Sequence, residues 1–191
     1  MNYNYIAPFY DILSRICFLN RQQKAHQPIL SYLKNEMKIL WIGGGSGWFL
    51  EDIDQLNLSL HIDYVELSSA MMNAAKTRNL NAIQVNFIQE DIFEYQLIEE
   101  YDLIITAFFF DHFKEEECVD LFHRLNKSLK NKGIWFYVDF NQNQNIIQRF
   151  LTKAMVLFFC WVAGIKNKDF PKVEYLFNSY QKIEEHYYFG N

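Results

Sequence analysis

From residue 38 onward, short apolar runs alternate with stretches whose apolar residues recur every three or four positions. "KILWI" (38–42) stops at glycine and predicts a strand, and "GWFLEDIDQL" (47–56) winds naturally as a helix. "HIDYVEL" (61–67) reads as the next strand. "SSAMMNAAKTRN" (68–79) reads as the next helix, with Ser68 or Ser69 available as N-cap. "IQVNFIQ" (83–89) alternates with period two, and "YDLIITAFFF" (101–110) is a continuous apolar run, the mark of a strand covered on both faces. In "KEEECVDLFHRLNKSLKNKG" (114–133), Cys118, Leu121, Phe122, Leu125 and Leu129 fall at helical spacing, which predicts a helix ending at a Gly133 C-cap. "IWFYVDF" (134–140) predicts another buried strand.

Strands alternating with helices call for an α/β fold: a doubly wound, mostly parallel sheet with helices on both faces and right-handed crossovers. Such sheets bind ligands at the carboxyl ends of their strands, where the strand order reverses. Residues 1–36 read as helical apart from Pro8 and Pro28, forming a cap over residues 37–191 within a single domain, 1–191. Towards the end, "KVEYLFNSY" (172–180) suits a helix and "QKIEEHYYF" (181–189) a strand.

Composition narrows the function classes. Half the residues are apolar and 18% aromatic, so a packed core is expected rather than disorder. The formal net charge is −5 with the basic residues scattered, which argues against a nucleic-acid partner. Glu115, Glu116 and Glu117 read as a solvated helix start. Cys17, Cys118 and Cys160 are far apart and lack metal-ligand spacing, so no metal and no disulfide framework is expected, and reduced thiols suggest the cytoplasm. "MNYNYIAPFYDIL" lacks the pattern of a signal peptide, and the apolar stretch 154–165 falls short of the roughly 20 residues that span a bilayer, so no stable membrane insertion is expected.

The densest local signal is Gly43, Gly44, Gly45 and Gly47, between the first strand and its helix. A strand, a glycine turn and a helix start together present backbone N–H groups to a ligand. The dinucleotide fingerprint GxGxxG needs a third glycine where Trp48 stands, which disfavours a nucleotide-dependent oxidoreductase; the spacing is GxGxG. "ILWIGGGSG", "YVELS", "IQEDIFEY", "YDLIITAFFFDHF" and "LKNKGIWFYVDF", in that order, resemble the motifs of class I S-adenosylmethionine-dependent methyltransferases, whose fold is Rossmann-like. The resemblance implies S-adenosyl-L-methionine as cofactor. It places the methionine end by the glycines, the ribose hydroxyls on Glu66 beside Leu67, the adenine at Asp91 and the Ile92 N–H, and Phe108 and Tyr10 against the cofactor. A carboxylate accepting from both hydroxyls of a diol makes two charge-assisted bonds. The chain departs from the family at Trp41, where an acidic residue often reaches the methionine ammonium. The family sheet also usually has a final antiparallel strand beside the fifth, and the usual length for it is missing. Either the closing helix and strand assignments are shifted, or the sheet has six strands and an open edge, which would favour a homodimer.

Methyl transfer is an in-line displacement that depends chiefly on alignment. Asp111 and His112, after the fourth strand, are the candidate catalytic pair: His112 as general base oriented by Asp111, or both as supports of their loop. His26, His61, His123 and His186 read as structural, and Cys118 as packing. Aromatic residues at the strand ends and in 150–164, among them Phe108, Phe140, Phe159 and Trp161, suggest a small apolar or aromatic acceptor. The alternative is a protein that binds S-adenosylmethionine without turnover.

Overall fold

The computed structural model describes residues 21–97, 100–139 and 171–186. Five parallel strands form one sheet in the order β3-β2-β1-β4-β5. They are β1 (Lys38–Ile42), β2 (His61–Val65), β3 (Gln84–Ile88), β4 (Tyr101–Ala107) and β5 (Leu129–Val138). The helices are α1 (Arg21–His26), α2 (Trp48–Asp54), α3 (Ser69–Lys76) and α4 (Glu115–Lys127), with 3-10 turns at Gln27–Tyr32, Phe110–His112 and Glu174–Ser179. The chain steps outward from β1 to β2 and β3, then returns to β4 on the other side of β1. The order therefore reverses between β1 and β4, where a crevice opens at the strands' carboxyl ends.

The two faces of the sheet sort by alternation along each strand. Ile39 and Trp41, Ile62 and Tyr64, and Leu103 and Ile105 pack with Ile29 and Leu33 and against α2 and α3, through Phe49, Leu50, Ile53, Met72 and Ala75. Leu40, Ile42, Val65 and Ile104 face the other way, onto Cys118, Leu121 and Leu125 of α4 and onto Val173. Because both faces are covered there, the central strands β1 and β4 read as nearly unbroken apolar runs. Ser68 caps α3, its hydroxyl accepting from the Met71 N–H at 3.3 Å.

Three sequence expectations change. Among the described residues no helix joins β3 to β4; that connection holds only a short turn around Asp91–Tyr95. The helix expected to reach Gly133 ends at Lys127: Leu129 already pairs with Tyr101, and Ile134 with Leu103. Lys130–Gly133 bulge out opposite Asp102, where Lys130 Nζ meets Asp102 Oδ1 at 2.9 Å and Lys132 takes a φ of 69°. Residues 181–186, expected to begin a strand, pair with none. The segment before them packs on the α4 face, with Phe177 stacked on Tyr137 at 4.8 Å and Tyr180 bonded to Asn126. Glu184, by contrast, bonds the Tyr32 hydroxyl on the α2 face, so the chain passes from one face to the other between them. The final strand, Tyr10, Phe140 and residues 150–164 lie outside the described residues. No helix among the described residues is long and apolar enough to cross a membrane, and no cluster there could hold a metal ion.

Candidate functional site

At the carboxyl end of β1 the chain enters the glycine turn, and each glycine is bare for a different reason. A Cβ on Gly43 would lie 2.6 Å from Phe109 Cδ2, one on Gly44 would lie 2.3 Å from Tyr64 Cε2, and one on Gly47 would lie 2.8 Å from the Ala75 Cβ. Three of the four thus make room for the protein itself. Gly45 is different: among the described residues a Cβ there meets nothing within 4 Å, yet its φ of +64° is left-handed. The main chain of this turn is fixed from behind. The Tyr64 hydroxyl donates to the Gly45 carbonyl at 3.0 Å, and Arg78 Nε donates to the Ser46 carbonyl at 2.9 Å. Space for a ligand therefore opens beside Gly45.

Glu66 stands at the end of β2, registered by its own N–H to the Ile88 carbonyl and by Gly43 N to the Val65 carbonyl. Its Oε2 accepts from the Gly45 N–H at 3.1 Å and its Oε1 from the Ser68 N–H at 2.8 Å. One carboxylate so ties the glycine turn to the cap of α3, with the Leu67 N–H bonded to it as well. Burial pushes the Glu66 carboxyl above its ordinary range, against the pull of these N–H donors and of nearby His112. Leu67, next in sequence, is 52% exposed and offers an apolar wall beside the carboxylate.

Beyond β3, Asp91 Oδ1 accepts from the Phe93 N–H at 3.0 Å, and the Asp91 carbonyl accepts from the Glu94 and Tyr95 N–H groups at 2.9 Å. Ile92 is buried, and among the described residues nothing accepts from its N–H. After β4, Phe108 takes a φ of +52°, an unfavourable conformation for an aromatic residue. The turn puts its ring 6.1 Å from His26, while Phe109 lies on Gly43. His26 is itself buried among Trp41, Trp48, Phe49, Phe108 and Phe136. Trp41 is committed to this core, ringed also by Phe49 and Tyr64.

His112 Nδ1 lies 2.8 Å from Asp111 Oδ1 and 3.0 Å from the Phe109 carbonyl. Burial works against its charge, but the Asp111 carboxylate, the Phe109 carbonyl and Asp139 outweigh it and push the imidazole up to about 9. Asp111 Oδ1 is buried and, among the described residues, its near polar contact is the His112 ring at 2.8 Å. Cys118 is buried, its thiol pushed up to about 12 chiefly by that burial, which keeps it a neutral packing group.

The structure thus brings Gly43, Gly44, Gly45, Gly47, Glu66, Leu67, Asp91, Ile92, Phe108, Asp111 and His112 to the carboxyl ends of β1 to β4. Sequence reasoning missed the groups that hold the turns from behind, Tyr64, Arg78 and Arg124. Each acts on a carbonyl 19 or more positions away, and such long-range capture leaves no local pattern. Replacing Gly45 with leucine is expected to leave the fold intact, at a cost of about 1–2 kcal/mol for the left-handed backbone, while lowering affinity for S-adenosylhomocysteine by about a hundredfold. Calorimetry beside a thermal melt reads both quantities; unchanged affinity would remove this turn from the site.

Residues 39–133 match a family model described as a methyltransferase domain. The chain is 32% identical over 133 residues to the malonyl-[acyl-carrier protein] O-methyltransferase of Bacillus anthracis, covering 65% of this chain and 48% of that protein. It is 32% identical over 105 residues to malonyl-[acyl-carrier protein] O-methyltransferase 2 of Ilyobacter polytropus, covering 55% and 40%. The chain spans about half the length of the curated relatives it matches. Among solved structures, a DhpI-SAM-HEP complex superposes with a TM-score of 0.62 at 16% identity, covering 78% of this chain and 67% of that one, a likeness of fold.

Proposed function

Since the chain belongs, through residues 39–133, to the class I S-adenosylmethionine-dependent methyltransferases, we propose that it transfers a methyl group from S-adenosylmethionine to a small apolar or aromatic acceptor. The observation that carries this reading is the bridge made by Glu66, whose carboxylate joins the glycine turn to the α3 cap at the carboxyl end of β2. The described residues fit the cofactor: among them nothing crowds Gly45 and nothing accepts from the Ile92 N–H, while Leu67 is apolar and exposed. When bound, S-adenosylmethionine supplies an activated methyl group for in-line displacement.

The chain's own residues then have distinct tasks. Glu66 accepts from the ribose hydroxyls, Leu67 and Ile92 cover the adenine, and Asp91 with the Ile92 N–H meets its polar edge. Gly45 leaves the methionine end space against main chain, with Gly43, Gly44 and Gly47 shaping that turn. Tyr10, outside the described residues, is a cofactor contact on its motif alone. Phe108, Trp48 and Phe136, packed round His26, form the aromatic wall that favours an apolar acceptor. Asp111 and His112 hold the loop after β4 against the reacting groups. Asp111, the Phe109 carbonyl and Asp139 favour the charged imidazole, which supports alignment over base catalysis as its role.

The curated relatives are named for malonyl-[acyl-carrier protein], which makes that protein the necessary competitor acceptor. The test offers the full chain and S-adenosylmethionine to phenols, quinols, amines and malonyl-[acyl-carrier protein], with products read by mass spectrometry. Methylated phenol or quinol is the expected result. Product from malonyl-[acyl-carrier protein] alone would overturn the acceptor class, and tight binding with no product anywhere would favour a binding protein without turnover.

A further inference from the structure

The turn after β3 is held by one side chain far away in sequence. Arg124, in the last turn of α4, donates from Nη1 to the Ile92 carbonyl at 3.2 Å and the Phe93 carbonyl at 3.0 Å, and from Nη2 to the Tyr95 carbonyl at 2.9 Å. A guanidinium presents its donors in a rigid planar fork, so three carbonyls gathered on one fork fix the turn's orientation as well as its position. Helix α4 is anchored in turn by Cys118, Leu121 and Leu125, each fully buried. The turn is thereby referred to the core and not to the solvent-side loop around it.

The consequence falls on the peptide between Asp91 and Ile92. Its carbonyl points into the turn, accepting from Glu94 and Tyr95. A trans peptide directs its N–H opposite to its carbonyl, so the Ile92 N–H points out of the turn. That N–H belongs to a residue only 4% exposed and has no acceptor among the described residues. A buried donor left unpaired is costly, and a planar ligand edge would satisfy it.

We propose that Arg124 is a positioning residue for the purine: by gathering the Ile92, Phe93 and Tyr95 carbonyls onto α4, it aims the Ile92 N–H and the Asp91 carboxylate at one edge of the base. The proposal rests on the cofactor reading above and adds to it the origin of base selectivity. A donor beside an acceptor matches adenine, whose ring nitrogen accepts and whose amino group donates. The same pair mismatches hypoxanthine, which reverses both positions.

The experiment measures S-adenosylhomocysteine and S-inosylhomocysteine binding by calorimetry for the wild-type chain, Arg124→Met and Arg124→Lys, with amide exchange of residues 91–97 followed alongside. The wild type should prefer the adenine ligand. Arg124→Met should lose about tenfold in affinity for that ligand and little for the hypoxanthine one, so the preference shrinks, while exchange in 91–97 speeds up. Arg124→Lys, which keeps the charge but not the fork, should fall between. An unchanged preference in both variants would overturn the proposal, as would equal weakening of both ligands, which marks a general structural tie. A wild type that binds neither ligand would overturn the cofactor reading, and this proposal with it.

Discussion

Glu66→Ala should weaken S-adenosylhomocysteine binding by about a thousandfold, the largest single effect expected in this chain. The diol would lose two charge-assisted bonds, each worth roughly 1.5–3 kcal/mol. The glycine turn and the α3 cap would also lose their shared acceptor, since Gly45 and Ser68 both donate to this carboxylate. The pH dependence has a definite sign. Binding requires the ionised form, so affinity is full above the Glu66 pKa and falls as pH drops through it. Burial raises that pKa, and the fall therefore begins at a higher pH than for an exposed glutamate. Calorimetry across the acid range tests this, with Glu66→Gln expected to bind weakly and without the pH slope. A sloping Glu66→Gln profile would assign the titration to another group.

The second large effect is on stability. Gly44→Ala should destabilise the ligand-free chain by about 3 kcal/mol, the sum of overpacking against Tyr64 and loss of its hydroxyl bond to Gly45. Tyr64 is wholly buried between Trp41 and Phe87 and cannot swing aside. Urea unfolding measures the loss directly. Set beside Gly45→Leu, the pair separates two glycines that adjoin in sequence: one protects the core, the other the ligand. A Gly44→Ala chain as stable as wild type would show that the Tyr64 ring yields, contrary to its packing.

Much of the architecture was legible because both faces of this sheet are covered. β4 is apolar at nearly every position for that reason, and the Ser68 cap follows from a hydroxyl ahead of a helical pattern. The end of α4 was not legible. Leu129 continues the spacing of Leu121 and Leu125, but it is claimed by Tyr101 across the sheet, and tertiary pairing prevails over helical periodicity. The connection after β3 lacks a helix for a comparable reason: Asp91 closes a tight turn with its own side chain and carbonyl. At the site, the residue types that announce a cleft were readable from order and spacing. What each glycine makes room for was not, because Phe109, Tyr64 and Ala75 reach the turn only in the folded chain. The charge on His112 was hidden likewise, since it depends on Asp139 across the sheet end as well as on its neighbour Asp111.

The carbonyls of both cleft turns are fastened outward, by Tyr64 and Arg78 on one side and Arg124 on the other. A groove whose walls are main chain tolerates drift, because most side chains along it can change without altering what a ligand meets. Beyond Glu66 and Gly45, mutational sensitivity should therefore extend to the fasteners behind the wall, so a scan confined to residues lining the cleft would understate how the site is encoded.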